Sequence, residues 1–319
     1  MDQLQSASAA LPGVDALSPV LESAGWGIDF RPLDPGPEDV AVQLALSEGV
    51  SLVRVGMANS IHQRAIPPAG YTTVGIPTMP QPSLRIGRRE VQSESITFFD
   101  TASGFDAVSQ GGFEAWTLSI DDRLLADTLA LRSPESQLEL AALPGMHREF
   151  APGDLARLRS RFAHYLTGSL SSELIARARQ NLDAELRSEI PALLLETWSA
   201  GTDLPYVRLA SRMRALRRAV GYIEAHPRQA ISVETLCREC AASASTLERA
   251  FREHFGVSPK RYLNNTRLVH VKRELQWRGA DATIADIAAE YGFWHMSKFA
   301  ADYRKLFGEL PSQTRAGAA

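Results

Sequence analysis

Two stretches of this chain, 236–259 and 284–312, follow a single plan, and that plan constrains the fold more than any other feature of the sequence. Leu236–Cys237 answers to Ile287–Ala288 and Ala241 to Gly292, 51 positions apart. After that the spacing becomes 52: Leu247 matches Phe299, Phe251 matches Tyr303, Gly256 matches Gly308 and Pro259 matches Pro311. Each copy reads as a short helix, a tight turn, a second helix, a glycine stop and a proline. Two such helices bury their apolar faces only against each other and a shared support, which makes each copy a helix-turn-helix unit. The second helix of such a unit has the size that a DNA major groove admits.

The charge is divided in the same sense. Over 208–319 there are 19 Lys and Arg against 11 Asp and Glu, a net of +8, while the remainder is −11 and the whole chain −3. All four lysines lie in the positive part. A basic module on an acidic body fits one region that meets a polyanion and one that does not. Hydrophobic content of 45% and charged content of 22% over 319 residues fit two ordinary globular domains. The first twenty residues lack a basic start and an apolar run, and no stretch has transmembrane length, so the expected location is cytoplasmic, with no membrane partner.

The expected fold is α+β: an N-terminal cupin-like β-barrel with helices, then an all-α domain holding the two units. Residues 1–25, rich in Ala, Ser and Pro, read as a loosely ordered lead-in. Residues 26–196 form the second segment. SLVRV, TTVGI, SLRIG, SITFF and EAWTLSI have strand length and β-branched or aromatic content, and PPAG, MPQP, ASG and QGG separate them. Helices are expected over 122–131, 154–165 and 171–195. The last carries Leu174, Ala178, Leu182, Leu186 and Ile190 in one stripe, read as a contribution to dimerisation, with a kink at Pro191. Residues 197–207 read as a linker and 208–319 as the second domain, with Ser232, Ser258 and Thr283 as helix caps.

Between the anchors lie the residues that face outward. In the first unit Ala244, Ser245, Glu248, Arg249 and Arg252 are exposed by helical spacing. Ser245 and Arg249 reach base edges, Glu248 accepts from a cytosine amino group, and Arg252 meets a phosphate. In the second unit His295, Met296, Lys298 and Ala301 face outward; Met296 offers only apolar contact, and Lys298, Arg304 and Lys305 suit phosphates. The second helix is expected to read fewer bases by hydrogen bonding.

These residues also carry a resemblance. SASTLERAFREHFGVSPKRYLNNTRL (243–268) and TIADIAAEYGFWHMSKFAADYRKLFGELPS (283–312) resemble the two halves of the DNA-binding domain of AraC/XylS-type transcription regulators, with the ELPS ending on the XylS side. The resemblance implies seven helices with a long one joining the units. It also implies binding to double-stranded promoter DNA, activation through RNA polymerase, a homodimer and a small-molecule effector. Two positions depart from the family pattern: Ala301 replaces a frequent arginine, and Ala241 a turn glycine, which is tolerable if the turn avoids positive φ. The N-terminal half resembles the family's effector domain only loosely.

Other chemistries are less well supported. Cys237-x-x-Cys240 has no second ligand pair and sits at small apolar positions of a helix, so both read as structural thiols. A cupin-type small-molecule enzyme with a helical appendage is the alternative. It needs clustered His and carboxylate ligands, and the strand region offers only His62, so neither metal, cofactor nor catalytic residue is expected. For a small-molecule effector, the candidate pocket residues are Arg54, His62, Tyr71, Phe99 and Trp116.

Overall fold

The β-branched runs pair antiparallel into two facing sheets in a computed structural model of the chain, which describes residues 5–11, 14–36, 40–78, 84–87, 89–132, 140–166, 174–200, 202–203, 211–278 and 282–317. The strands are β1 (Gln5–Leu11), β2 (Gly27–Pro32), β3 (Val40–Ser47), β4 (Val50–Met57), β5 (Ile61–Ile66), β6 (Tyr71–Pro77), β7 (Leu84–Ile86), β8 (Arg89–Glu90), β9 (Ser95–Phe98), β10 (Phe105–Ser109), β11 (Phe113–Asp121), β12 (His147–Glu149) and β13 (Thr202–Asp203). The larger sheet runs β1-β3-β4-β11-β6-β9-β12-β13 and the smaller β2-β5-β10-β7-β8. The five runs read as strands fall in β4, β6, β7, β9 and β11. The cupin-like half is therefore a two-sheet sandwich rather than a closed barrel.

Period-two alternation assigns the layers. On β11, Phe113 joins the core between the sheets, while Trp116, Leu118 and Ile120 join a second core on the outer face of the larger sheet. That outer face is covered by α2 (Asp122–Arg132), α3 (Ala156–Leu166) and α4 (Leu174–Ala200), which contribute Leu125, Phe162, Leu186, Ile190 and Trp198. α4 continues through Pro191 without a break. Leu186 and Ile190 are buried in their own domain, so this half of the proposed dimer stripe is core; the side chains of Leu174, Ala178 and Leu182 lie outside the described residues.

Two boundaries shift. Residues 5–11 and 14–23 are not a loose lead-in: β1 pairs along its length with β3, and α1 (Val14–Ser23) sends Val14, Leu17 and Leu21 into the core between the sheets. Composition hid this because Ala and Ser are poor strand signals, and pairing with an existing edge overrode propensity. Within the expected linker 197–207, α4 extends to Ala200 and Thr202–Asp203 pair with β12, so part of it belongs to the first domain.

The second domain is helical: α5 (Ser211–Ala225), α6 (Val233–Cys240), α7 (Ala244–Phe255), α8 (Pro259–Arg278), α9 (Ile284–Glu290), α10 (Met296–Phe307) and α11 (Pro311–Gly317). α6 and α7 form the first unit, α9 and α10 the second, and α8 joins them. Ser232, Ser243 and Thr283 each accept from a backbone N–H three residues on, and Thr283 with Asp286 completes a capping box. Ser258 accepts from the Arg261 amide at 3.2 Å and caps α8. Gly256 and Gly308 end α7 and α10 with φ of 73° and 75°. The repeat read from the anchors is thus a repeat of caps as well as of core. Cys240 is buried and Cys237 partly so, both packed with the first unit's core.

The turn of the first unit does not avoid positive φ. Ala241 has φ 49°, the one non-glycine in the left-handed region among the described residues, and its counterpart Gly292 has φ 81°. A Cβ in that region costs about 1–2 kcal/mol, partly offset because glycine leaves more freedom to the unfolded chain. Ala241→Gly is expected to stabilise the second domain by about 0.5 kcal/mol in denaturant titration; destabilisation would contradict the strain assigned to this turn.

Candidate nucleic-acid interface

Leu247, Ala250 and Phe251 anchor α7 in its core, together with Phe255, and thereby turn its other face outward. Ala244, Ser245, Arg249 and Arg252 are exposed there and Glu248 half-exposed. Two of these face each other rather than solvent alone: Glu248 receives Arg252 Nε at 2.6 Å, and Arg249 Nε donates to Glu253 at 2.7 Å. Both pairs are one helical turn apart on the surface. Pairs of this kind contribute about 0.3–0.5 kcal/mol, so each arginine is held in place yet exchanges readily for a base edge or phosphate. Glu248 is thus paired with Arg252, a contact that spacing alone did not show.

α10 is built the same way, with Phe299, Tyr303, Leu306 and Phe307 inward. His295 is its N-cap but makes no side-chain cap bond, and His295, Lys298, Ala301, Arg304 and Lys305 are exposed. Met296 is partly buried against the second unit's core, which withdraws it from full outward presentation. Sequence spacing passed over Trp294, in the turn before this helix, which is 75% exposed.

α7 and α10 are carried on one frame because α8 is buried along both units. Its Tyr262 and Leu263 lie in the first unit's core and its Leu268, Val271 and Leu275 in the second's. α8 also fastens the domain to the sandwich. Alternation on the smaller sheet sends Ile28, Phe30, Gln63 and Ala107 inward, and Asp29, Arg31, His62 and Val108 toward the helices. Leu33 and Val108 share a core with α5, α7 and α8. Tyr262 Oη lies 2.8 Å from His62 Nδ1 and accepts from Arg31 Nη1 at 3.2 Å. On the other side of the same ring, His62 Nε2 lies 3.3 Å from Asp106 Oδ2. Asp29 receives Arg31 at 2.6 Å and Arg273, from α8, also at 2.6 Å. The Asn265 amide donates to the carbonyls of Pro32 and Leu33, each at 3.2 Å.

The carboxylates of this joint are held ionised. Burial alone would raise Asp106, but hydrogen bonds from His254 and His62 outweigh it and hold it well below the usual range. Burial likewise opposes ionisation of Asp29, and Arg31 and Arg273 bring it to about 2.

The five effector candidates do not converge. Arg54 donates to Glu114 at 2.6 Å and to Gln43 at 3.1 Å; His62 is buried in the joint; Tyr71 stands half-exposed at the start of β6; Trp116 packs edge-on to Phe162 under the helices. Phe99 lines two cavities that the other four do not reach: an apolar space of about 70 Å³ between the sheets, and a crevice of about 550 Å³ between the domains. The crevice is bounded by Thr97, Asp100 and His147 on one side and Met213, Arg217 and His254 on the other. Strand alternation could not separate inward from joint-facing residues because both faces of the smaller sheet are covered. Among the described residues no group of three or more His, Cys, Asp or Glu is arranged to hold a metal, and no helix is long and apolar enough to cross a membrane.

With this geometry in hand, similarity to known proteins is specific. A family profile described as "Helix-turn-helix domain" matches residues 236–317, the span from α6 to α11. The chain is 30% identical over 155 residues to "XylDLEGF operon transcriptional activator 3" of Pseudomonas putida, covering 48% of this chain and 40% of that protein. It is 34% identical over 102 residues to "HTH-type transcriptional activator RhaS" of Escherichia fergusonii, covering 32% and 36%. The match thus spans well under two thirds of these relatives. Among solved structures, a probable AraC family transcriptional regulator from Rhodopseudomonas palustris is 34% identical over 33% of this chain and 96% of its own, with a TM-score of 0.31.

One buried and one half-buried histidine, His147 and His270, set an acid limit on this architecture. Burial, with Arg89 nearby, lowers His147 from 6.5 to about 4, and burial with Arg273 and Arg31 does the same to His270 on α8. Both remain neutral in the folded chain while the unfolded chain takes up protons below 6.5. Stability from these groups is therefore complete above pH 6.5 and declines as pH falls to 4, by on the order of 2 kcal/mol for His147. Below that, the contribution of Asp29 is lost as pH falls from its unfolded value of 3.8 toward 2. Chemical unfolding across pH 4–8 is expected to follow that course, with a shallower decline in His147→Gln; equal slopes in both proteins would remove His147 from the account.

Proposed function

We propose, from the premise that residues 236–317 form an AraC/XylS-type helix-turn-helix domain, that this chain is a sequence-specific DNA-binding transcription regulator acting as an activator. The observation that supports it best is that α7 and α10, the second helices of both units, present exposed polar and cationic faces from one rigid frame built on α8. In such a regulator α7 and α10 enter successive major grooves on one face of the duplex, roughly 34 Å apart. α7 discriminates sequence through Arg249 and Ser245, and α10 contributes position through Lys298, Arg304 and Lys305. Promoter DNA and RNA polymerase are then its macromolecular partners, and it works in the cytoplasm.

Dimerisation and effector control are assigned to the N-terminal sandwich on the family pattern. The support for a ligand is the pair of cavities that Phe99 lines. The rival reading, a cupin-type enzyme, has no support among the relatives, which are regulators by name.

The test is a mobility shift of the full chain on duplex from upstream of its neighbouring operon, against scrambled duplex; equal retention of both would overturn the reading. Arg249→Ala is expected to cost about ten-fold in affinity for the cognate duplex and little on scrambled DNA. Lys298→Ala is expected to weaken both alike and to lower the salt slope by about one.

A further inference from the structure

The two units differ by one residue, and the structure locates it. The offset of 51 holds through Ala241 and Gly292, whose backbones are both left-handed. It has become 52 by Leu247 and Phe299. Ala242 and the cap Ser243 connect the first turn to α7, whereas Phe293, Trp294 and the cap His295 connect the second to α10. Ala242 and Phe293 correspond, since each is partly buried against its own unit's core, and the Phe293 ring lies 5.1 Å from that of Phe299. Ser243 and His295 correspond as caps. The residue left without a counterpart is Trp294.

A tryptophan that serves a fold buries its ring, as Trp26, Trp116 and Trp198 do here at 6%, 6% and 0% exposure. Trp294 keeps its indole in water directly before the first turn of a helix whose outward face carries Lys298, Arg304 and Lys305. That helix is also the one poor in hydrogen-bonding side chains for bases, with Ala301 exposed and Met296 partly withdrawn. A polyanion drawn to the three cations would lie against the indole. We propose that Trp294 is a DNA-contacting residue that only the second unit possesses: its ring packs on the deoxyribose and thymine-methyl surface at the edge of the groove that α10 enters. Apolar burial there supplies the grip and the preference for thymine that α10 otherwise lacks. The inference rests on the regulator reading above and adds a specificity residue to it.

Intrinsic fluorescence makes the test direct, because Trp277, at 84% exposure, is the other strongly exposed tryptophan and is removable. The full chain is titrated with a duplex that it has itself selected from a randomised pool of about 30 base pairs, enough for successive grooves. In Trp277→Phe, adding this duplex is expected to quench and blue-shift the emission. Trp294→Ala is expected to bind about ten-fold more weakly with an unchanged unfolding midpoint, and Trp294→Phe to keep part of the affinity. Unchanged emission from Trp277→Phe at saturating duplex, or wild-type affinity in both Trp294 variants, overturns the proposal. So does a spectral change that persists in Trp294→Phe and is absent from Trp277→Phe, which would transfer the contact to Trp277. If the wild-type chain selects no duplex at all, the regulator reading itself fails and the proposal falls with it.

Discussion

α8 is the member on which the rest of the structure depends. It is buried on three sides: by the first unit at Tyr262 and Leu263, by the second at Leu268, Val271 and Leu275, and by the sandwich at Tyr262, Asn265 and Arg273. Each helix pair alone is too small to bury an adequate core. By sharing one long helix the two pairs acquire a fixed separation, which the proposed engagement of two grooves requires.

The joint between the domains combines an apolar contact, in which Leu33 and Val108 share the core of α5, α7 and α8, with a polar network. The apolar part holds by buried area. The polar part holds by oriented groups: Arg31 and His62 on Tyr262, and Asp29 between Arg31 and Arg273. Such networks are strong only while every member is satisfied, so a small displacement costs several bonds together. The crevice of about 550 Å³ opens beside this network, with Asp106 and His254 on its wall. The crevice therefore borders both the joint and α7, through His254 and Phe255.

Much of the second domain was legible in the sequence, because its evidence is local. Caps at Ser232, Ser258 and Thr283, stops at Gly256 and Gly308, and inward residues at Leu247, Phe251, Phe299 and Tyr303 each follow from spacing within a dozen residues. The candidate interface followed too, since exposure on a helix is the complement of its core. What spacing missed there was pairing and turn geometry: Glu248 taken up by Arg252, Met296 drawn toward the core, and Ala241 in a left-handed turn. The first domain was less legible. Its strands pair across long separations, as β1 does with β3 and β12 with β9, and its alternation has no way of saying what covers the outer face.

The amino-acid order by itself determined the duplicated helix-turn-helix scaffold, the division of charge and the outward faces of α7 and α10. These depend on helical periodicity and capping, which act over a few residues. The tertiary structure alone decided that Asp29, Arg31 and His62 face a helix rather than water. It alone decided that the effector candidates scatter, and that the one-residue difference between the units stands exposed as Trp294. Those outcomes depend on which surfaces meet, and contacts between residues two hundred positions apart leave no periodic trace in the chain.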